Sequence, residues 1–236
     1  MRLGDPIAEY GAAIARELRF DASLARRVRA EAEDHLLEAL AGSSEPSAQE
    51  AQRQAIRAFG DPSELARAFV PLALQSLARR AAVLLALAVI GIFAAMVARV
   101  AWYGWMQWPP GEQLRAANTI GVPADRLAFA IAFIFALMAL IYTMTRRAPP
   151  RLHAAYGHEI RRRIAMGTMA VLALFVAIAT ETILTGIRLV ESDVDASALV
   201  PAFSLVAEAA LAMGSAACVW ASRRRLSLAL QLTGQD

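Results

Sequence analysis

Four long apolar segments constrain the fold of this chain more than any other feature. They run approximately over residues 81–102, 127–145, 164–187 and 199–221. A hydrocarbon core about 30 Å thick requires roughly 20 apolar residues in helical form, and each segment is close to that length. A helix of a soluble bundle would keep a polar face, and these segments have almost none. The sequence therefore predicts an all-α protein with four transmembrane helices.

The charged residues are segregated from the apolar segments. The chain is 58% hydrophobic, yet it contains 24 basic and 21 acidic residues. Residues 1–78 hold more acids than arginines, whereas the remainder holds more arginines than acids. We therefore expect a small cytoplasmic helical bundle at 1–78, a four-helix transmembrane bundle at 79–225 and a cytoplasmic tail at 226–236.

The arginines also predict the orientation in the membrane. They cluster before the first apolar segment at 79–80, between the second and third at 146–163, and after the fourth at 223–225. Short cytoplasmic loops collect basic residues, and these three clusters fall on one side. We expect a multi-pass protein of a bacterial inner membrane, with both termini cytoplasmic and residues 104–126 facing outward.

A helix-to-helix corner is predicted within the N-terminal region, in the stretch FGDPSEL at 59–65. Gly60 suits a helix end that requires positive φ. Asp61 can cap the next helix, and Pro62 is tolerated at its first position, where the missing N–H costs nothing. Asp61 and Glu64 also have the spacing of a capping box. The corner is therefore a structural element in this interpretation.

Apolar residues at helical spacing predict four amphipathic helices within residues 5–78. A domain of this size buries a modest core, and we expect Phe59, Phe69, Leu36 and Leu40 to dominate it. We also expect Pro71 to interrupt the fourth helix before the first apolar segment, because proline removes a backbone hydrogen bond.

Two stretches, RRVRAEAEDHLLEALAG at 26–42 and EAQRQAIRAFGDPSELARAF at 50–69, make the N-terminal region similar to a known family. It resembles the HAAS domain, a helical signalling domain also found as the permease prefix domain, over roughly residues 10–72. The matching elements are the Asp34-His35-Leu36 helix, the Glu50-Ala51 start and the run from Ala55 to Pro62. The resemblance implies a cytoplasmic, non-catalytic interaction module on a membrane anchor, often encoded near a PadR-type transcription regulator.

The second predicted helix offers a docking face for a basic partner. Its candidate residues are acidic or titratable: Glu31, Asp34, His35 and Glu38. A solvated helix face is the alternative interpretation of the same residues. Direct nucleic-acid binding is disfavoured, because phosphate affinity comes from accumulated positive charge and residues 1–78 are net acidic.

Motifs of catalysis are missing from the sequence. There is no glycine-rich phosphate loop and no nucleophile elbow, and the single cysteine, Cys218, excludes an intrachain disulfide and a paired-cysteine metal site. His153, His158 and Glu159 have near-helical spacing that could suit a metal ion, but their arginine-rich surroundings favour a basic loop facing lipid headgroups. We expect no enzyme activity, no cofactor and no metal.

Three charged residues lie inside the apolar segments: Arg99, Glu181 and Glu208. A charge at such depth is costly and usually faces the bundle in a pair, so we expect Arg99 to contact Glu181, Glu208 or both. A structural role, signal sensing and proton transfer remain open for this group. Close helix approach is expected at two pairs of small residues, Gly91 with Ala95 and Ala210 with Gly214.

The sequence leaves two functional interpretations. The first is a regulatory membrane protein whose cytoplasmic domain binds a protein partner; the second is an accessory subunit of a larger membrane complex or transporter. A proton-coupled carrier using Glu181 and Glu208 is a third, disfavoured because four spans without an internal repeat are few for a carrier. Membrane lipids are expected as partners, and homo-oligomerisation stays open.

Overall fold

The computed structural model describes residues 5–43, 47–145, 154–191 and 198–233, with side chains from 158 onward in the third range and up to 229 in the last. These residues contain seven α-helices: α1 Pro6–Glu17, α2 Ala22–Ala41, α3 Ala48–Phe59, α4 Pro62–Trp105, α5 Glu112–Thr145, α6 Ala154–Glu191 and α7 Leu199–Thr233. The predicted all-α fold is confirmed.

The helices form two compact units. The first contains the chain up to Ser76, the beginning of α6 and residues of α7 from Arg224 onward. The second contains the remainder of α4 and α6, all of α5, and α7 up to Arg223. The segment predicted as a tail at 226–236 is thus helical up to Thr233 and belongs to the first unit, where Leu226 and Ala229 are buried.

Side-chain caps start the helices of the first unit. Asp5 Oδ1 accepts a 3.0 Å hydrogen bond from the Ile7 N–H, with Pro6 at the first position of α1. Asp21 Oδ1 accepts from the N–H groups of Ser23 and Leu24 at 3.0 and 3.1 Å. These bonds satisfy N–H groups that have no partner within their own helix. The chain therefore turns abruptly between short helices.

The core of the first unit differs from the prediction. Ile14, Leu18 and Leu36 are fully buried, so the expectation for Leu36 is confirmed. Phe59, Phe69 and Leu40 are only half-buried, and their expected dominance of the core is wrong. The reason is geometric: aliphatic residues of α1 and α2 occupy the interior, and the two phenylalanine rings line the surface beside it.

Proline does not end the helices that contain it. Pro71 lies inside α4, which continues from Pro62 to Trp105, so the predicted interruption is wrong. Pro71 and the preceding Val70 are buried, and this packing offsets the backbone hydrogen bond that proline removes. Pro123 is similarly inside α5. The stretch 104–126, which joins the first two apolar segments and is predicted to face outward, is thus helical from Glu112 onward.

Apolar packing holds the second unit together. Its buried centre contains residues of α4, α5, α6 and α7: Leu85, Val89, Ile92, Ala132, Ala136, Ala170, Val171, Leu174, Ile178 and Ala212. Small residues on α5 allow close approach, since a Cβ at Gly121 would lie 2.8 Å from Leu184 of α6. A Cβ at Gly91 would lie 3.1 Å from Leu211, as expected for a tight contact, but Gly214 faces open space and does not mediate one.

Candidate functional site: a buried charge cluster

Arg99 is the centre of a charge cluster inside the second unit. Its side chain has no exposed surface, and its Nη2 atom lies 2.8 Å from Glu181 Oε2. Its Nη1 atom lies 2.8 Å from Glu208 Oε1. The structure therefore brings together all three charged residues of the apolar segments, with one guanidinium between two carboxylates. Helices α4, α6 and α7 each contribute one member.

A hydroxyl supports the α7 side of the cluster. Ser204 lies one helical turn before Glu208, and its Oγ is 2.9 Å from Glu208 Oε1. The same Oγ is 3.4 Å from the Ala95 carbonyl oxygen of α4, so the hydroxyl can donate to either acceptor. Ala95 belongs to the small-residue face that also contains Gly91. That face lets the backbone of α4 come close to α7 where the ion pair forms.

Asp125 of α5 is a fourth member, which the sequence interpretation placed in an outer loop. The residue is buried, with only 5% of its surface exposed. It lies within hydrogen-bonding reach of the Glu181 side chain, and the charges of Arg99 and Glu208 also act on it. Its Oδ1 atom is buried without a hydrogen-bond partner. Each helix of the second unit therefore supplies one ionisable group to the cluster.

A cavity of about 340 Å³ opens beside Glu181. Residues of α4, α5 and α6 line it, with polar groups from Tyr103, Asn118, Glu181, Thr185 and Arg188. Glu181 keeps 19% of its side chain exposed, whereas the side chain of Glu208 is 1% exposed. Access to the cluster therefore differs between its two ion-paired carboxylates.

The residues at the cavity are fixed by contacts that sequence reasoning did not find. Arg188 stacks over the Tyr103 ring at 4.2 Å and donates a 2.8 Å hydrogen bond to the Trp108 carbonyl oxygen. Tyr103 Oη and Thr185 Oγ1 lie 3.3 Å apart. A cation over an aromatic face is held by the ring quadrupole. These contacts tie the end of α4 to the end of α6.

Glu191 closes the same end of the bundle by capping α5. Its Oε1 accepts from the Gln113 N–H at 2.7 Å, and its Oε2 accepts from the Leu114 N–H at 3.2 Å. A carboxylate at a helix N-terminus satisfies unpaired N–H groups and interacts favourably with the helix dipole. Gly111 allows this approach, because a Cβ there would lie 2.5 Å from the Glu191 carboxylate.

The predicted docking residues of α2 lie on the first unit. Glu31 and His35 line a groove of about 160 Å³ together with Phe59, Leu65 and Phe69. Asp34 is exposed. Glu38 Oε2 lies 3.7 Å from His35 Nδ1, and both side chains are more than half exposed. Four predicted residues therefore share one exposed region, but only two of them line the groove.

The predicted helix corner has the expected cap. Gly60 adopts φ +92° and ψ −164°, a conformation essentially restricted to glycine. Asp61 Oδ1 accepts a 2.7 Å hydrogen bond from the Ser63 N–H. The hydrogen bonds from the Ser63 backbone and hydroxyl lower the pKa of Asp61. Pro62 begins α4, and the Glu64 N–H donates to the Asp61 carbonyl oxygen at 3.1 Å.

Tyr10 connects this corner to α1. Its hydroxyl donates a 3.1 Å hydrogen bond to the Gly60 carbonyl oxygen, and its ring meets Phe59 edge-on, with centroids 6.0 Å apart. Burial, with a smaller contribution from the Asp61 charge, raises the pKa of Tyr10. The hydroxyl therefore keeps its proton and its role as donor.

The metal alternative considered for His153, His158 and Glu159 gains no support. His153 lies outside the described residues, and His158 is exposed in α6. Within the described ranges, no group of three His, Cys, Asp or Glu side chains is arranged to hold a metal ion. The charge cluster around Arg99 is therefore the most distinctive polar site of the second unit.

Comparison with known proteins assigns the N-terminal region. One family model, described as HAAS, matches residues 9–68, which run from α1 into the beginning of α4. No curated protein and no solved structure matches the chain. The N-terminal helices thus carry a HAAS domain. HAAS is a regulatory and non-catalytic domain family. It precedes four helices that are long and apolar enough to cross a membrane.

Proposed function

We propose that the protein is a non-catalytic regulator of a bacterial inner membrane, whose HAAS domain binds a cytoplasmic protein. The HAAS match is the observation that carries this proposal. The four apolar helices support membrane anchoring. The arginine clusters flanking them support cytoplasmic termini. The presence of α1–α3 and the last residues of α7 in one compact unit supports placing both ends on the same side of the membrane.

The groove between α2, α3 and α4 is the proposed contact surface. Phe59, Leu65 and Phe69 give it an apolar lining, and its volume suits one large side chain of a partner. An aromatic-lined pocket beside polar residues is typical of a site that anchors one residue of a docked helix. The half-exposed phenylalanines are thereby explained as binding residues.

Charge selects the kind of partner. Between residues 30 and 41, α2 contains four acids and no arginine: Glu31, Glu33, Asp34 and Glu38. Arg29 neutralises Glu33 across 2.7 Å, which leaves the other three available. We therefore propose that the occupant is a basic amphipathic helix, because opposite charge around an apolar anchor favours its approach.

Photo-crosslinking of the full-length protein in cells tests this surface. A crosslinking residue at His35 should capture a cytoplasmic protein through a peptide rich in Arg or Lys, and Glu31→Arg should reduce the yield several-fold. The matched control is the same crosslinker at Ala30, an exposed position on the opposite face of α2, which should capture little. Equal capture at both positions, or capture that charge reversal leaves unchanged, would contradict the proposal.

The same experiment separates the second candidate function. An accessory subunit of a larger complex would crosslink to integral membrane proteins, and its capture would require the apolar helices rather than the groove. Loss of capture in Phe59→Ala, with the helical content retained, supports the groove. Capture of membrane subunits by the Phe59→Ala variant at wild-type yield would support the accessory role.

A further inference from the structure

We propose that Asp125 and Glu181 form a proton-binding carboxyl pair, reached through the cavity beside Glu181. Asp125 carries the shared proton and donates it in a hydrogen bond to the Glu181 carboxylate. This inference goes beyond partner binding, since it names a ligand for the apolar helices. It uses the proposed membrane placement but does not depend on the cytoplasmic partner.

Charge compensation in the cluster is incomplete. One guanidinium, that of Arg99, faces the carboxyl groups of Asp125, Glu181 and Glu208. Both terminal nitrogens of Arg99 already bind Glu181 and Glu208 at 2.8 Å. If all three acids were ionised, the cluster would have a net charge of about −2, which is costly in a low-dielectric interior. One bound proton removes half of this excess.

The Asp125–Glu181 contact itself requires a proton. Two carboxylates have only acceptor atoms, and a carboxyl group becomes a donor only when it is protonated. Asp125 lies within hydrogen-bonding reach of Glu181, while its Oδ1 has no partner. An ionised Asp125 would therefore have an unsatisfied oxygen beside a second negative charge. Two acids that share a site cannot easily both ionise.

The surroundings of the two acids differ in a way that assigns the proton. Asp125 is buried, which favours its neutral form, and it lines a cavity of about 330 Å³ whose other lining residues include Phe93, Phe129 and Arg126. Glu181 binds Arg99 directly and is partly exposed to the polar cavity. The cavity beside Glu181 is thus the route by which protons exchange with water, and Asp125 is the group that holds the proton.

Other charged groups facing the pair favour a proton over a metal cation. Arg99 and the phenol of Tyr103 come from α4, Arg188 from α6 and Glu208 from α7. The guanidinium of Arg99 occupies the space between Glu181 and Glu208 in which a cation would bind. Within the described residues the acids have no metal-binding arrangement.

Infrared spectroscopy of the detergent-solubilised full-length protein tests the pair. The carbonyl stretch of a neutral carboxylic acid is resolved from that of a carboxylate. We expect the wild-type protein at pH 7 to show a neutral-acid band that disappears at high pH. Asp125→Asn should lose this band, and the matched control Glu112→Gln, which removes an exposed carboxylate from the start of α5, should keep it.

A wild-type spectrum without a neutral-acid band at pH 7 would overturn the proposal. So would a band that persists at full intensity in Asp125→Asn. If that variant does not fold, aspartate labelled with ¹³C at its side-chain carboxyl in the wild-type protein replaces it. A band that moves with the label supports Asp125, and one that stays contradicts it. None of these results depends on HAAS-domain partner binding, so failure of one proposal is separable from failure of the other.

Discussion

Arg99 Nη2 and Glu181 Oε2 lie 2.8 Å apart inside the second unit, and the same guanidinium is equally close to Glu208. A fully buried arginine thus connects α4 to both α6 and α7. Removing one partner from such a group leaves an uncompensated buried charge, whereas removing both partners is less costly. Single and double substitutions in the cluster should therefore change the free energy of unfolding by different amounts.

Arg99→Leu should destabilise the folded bundle by about 3–5 kcal/mol, the range for breaking a buried ion pair. The double variant Arg99→Leu with Glu208→Gln should lose less stability than the sum of the losses in the two single variants. Denaturant unfolding of the full-length protein in detergent, followed by circular dichroism, measures these losses. Arg126→Leu, which removes an exposed arginine of α5, is the control. Equal small effects of both arginine variants would refute a structural role for the cluster.

Gly60→Ala should destabilise the HAAS domain by about 1–3 kcal/mol, because its φ of +92° and ψ of −164° are strained for any residue with a Cβ. The space around Gly60 is open, so the cost comes from the backbone alone. Gly42→Ala is a matched control, since Gly42 has φ −88° and its added Cβ meets only ordinary contacts. It should be neutral or slightly stabilising. Hydrogen exchange of α3 distinguishes the two variants, and similar protection in both would contradict the argument.

Asp21 should contribute a pH-dependent part of the stability of α2. Burial raises the pKa of Asp21, but hydrogen bonds from the Ser23 hydroxyl and the N–H groups of Leu24 and Ser23 outweigh it, so the pKa is lowered. A lowered folded-state pKa means that the stabilisation is present above the unfolded pKa of about 4. It is lost as the pH falls through the folded pKa.

Asp21→Asn should therefore reduce the acid sensitivity of α2, because asparagine also caps helices but does not titrate in this range. Asp21→Ala should cost about 1 kcal/mol at pH 7. Hydrogen exchange of α2 peptides in the full-length protein, compared at pH 6 and pH 3 with correction for intrinsic rates, measures both effects. Asp34→Asn, at an exposed position of the same helix, serves as control. An Asp21→Asn protein that loses as much protection in acid as the wild type would contradict the assignment.

The membrane orientation predicts which cysteines react from outside the cell. In a Cys218→Ala background, Arg115→Cys near the start of α5 should react with a membrane-impermeant maleimide in intact cells. His158→Cys in α6 should react only after permeabilisation. Both native side chains are exposed, so accessibility on the protein does not explain a difference. Labelling of position 158 in intact cells would reverse the proposed orientation.

Local sequence patterns predicted the helices and caps, because a helix or a cap is formed by residues that are close in sequence. The apolar segments, the Asp61 cap and the Gly60 helix end each depend on a few neighbouring residues. Pro71 shows the limit of such rules, because its burial offsets a local penalty. The phenylalanines show a second limit. Apolar spacing identified their face of the helix, but only the packing of α1 against α2 decides which face is interior.

Asp125 was missed although the sequence contains a signal for it. Its position continues the buried face of α5, which also contains Ala128, Ala132, Ala136, Ala139 and Thr143 at steps of three or four residues. Treating residues 104–126 as a loop hid this periodicity. By contrast, Arg99, Glu181 and Glu208 could be grouped from their depth along the apolar segments, since costly charges tend to pair. Their exact partners depend on helix rotation, which depth does not determine.

The last residues of α7 affect the order in which the protein is built. They belong to the same compact unit as α1, α2 and α3, with Leu226 and Ala229 buried, yet the ribosome makes them after all four apolar helices. Chains emerge from the N-terminus first, so α1, α2 and α3 are made before these residues of their unit exist. The first unit is thus completed only after the apolar part of α7 has been made, and a nascent chain stalled before α7 would remain distinguishable to chaperones and proteases.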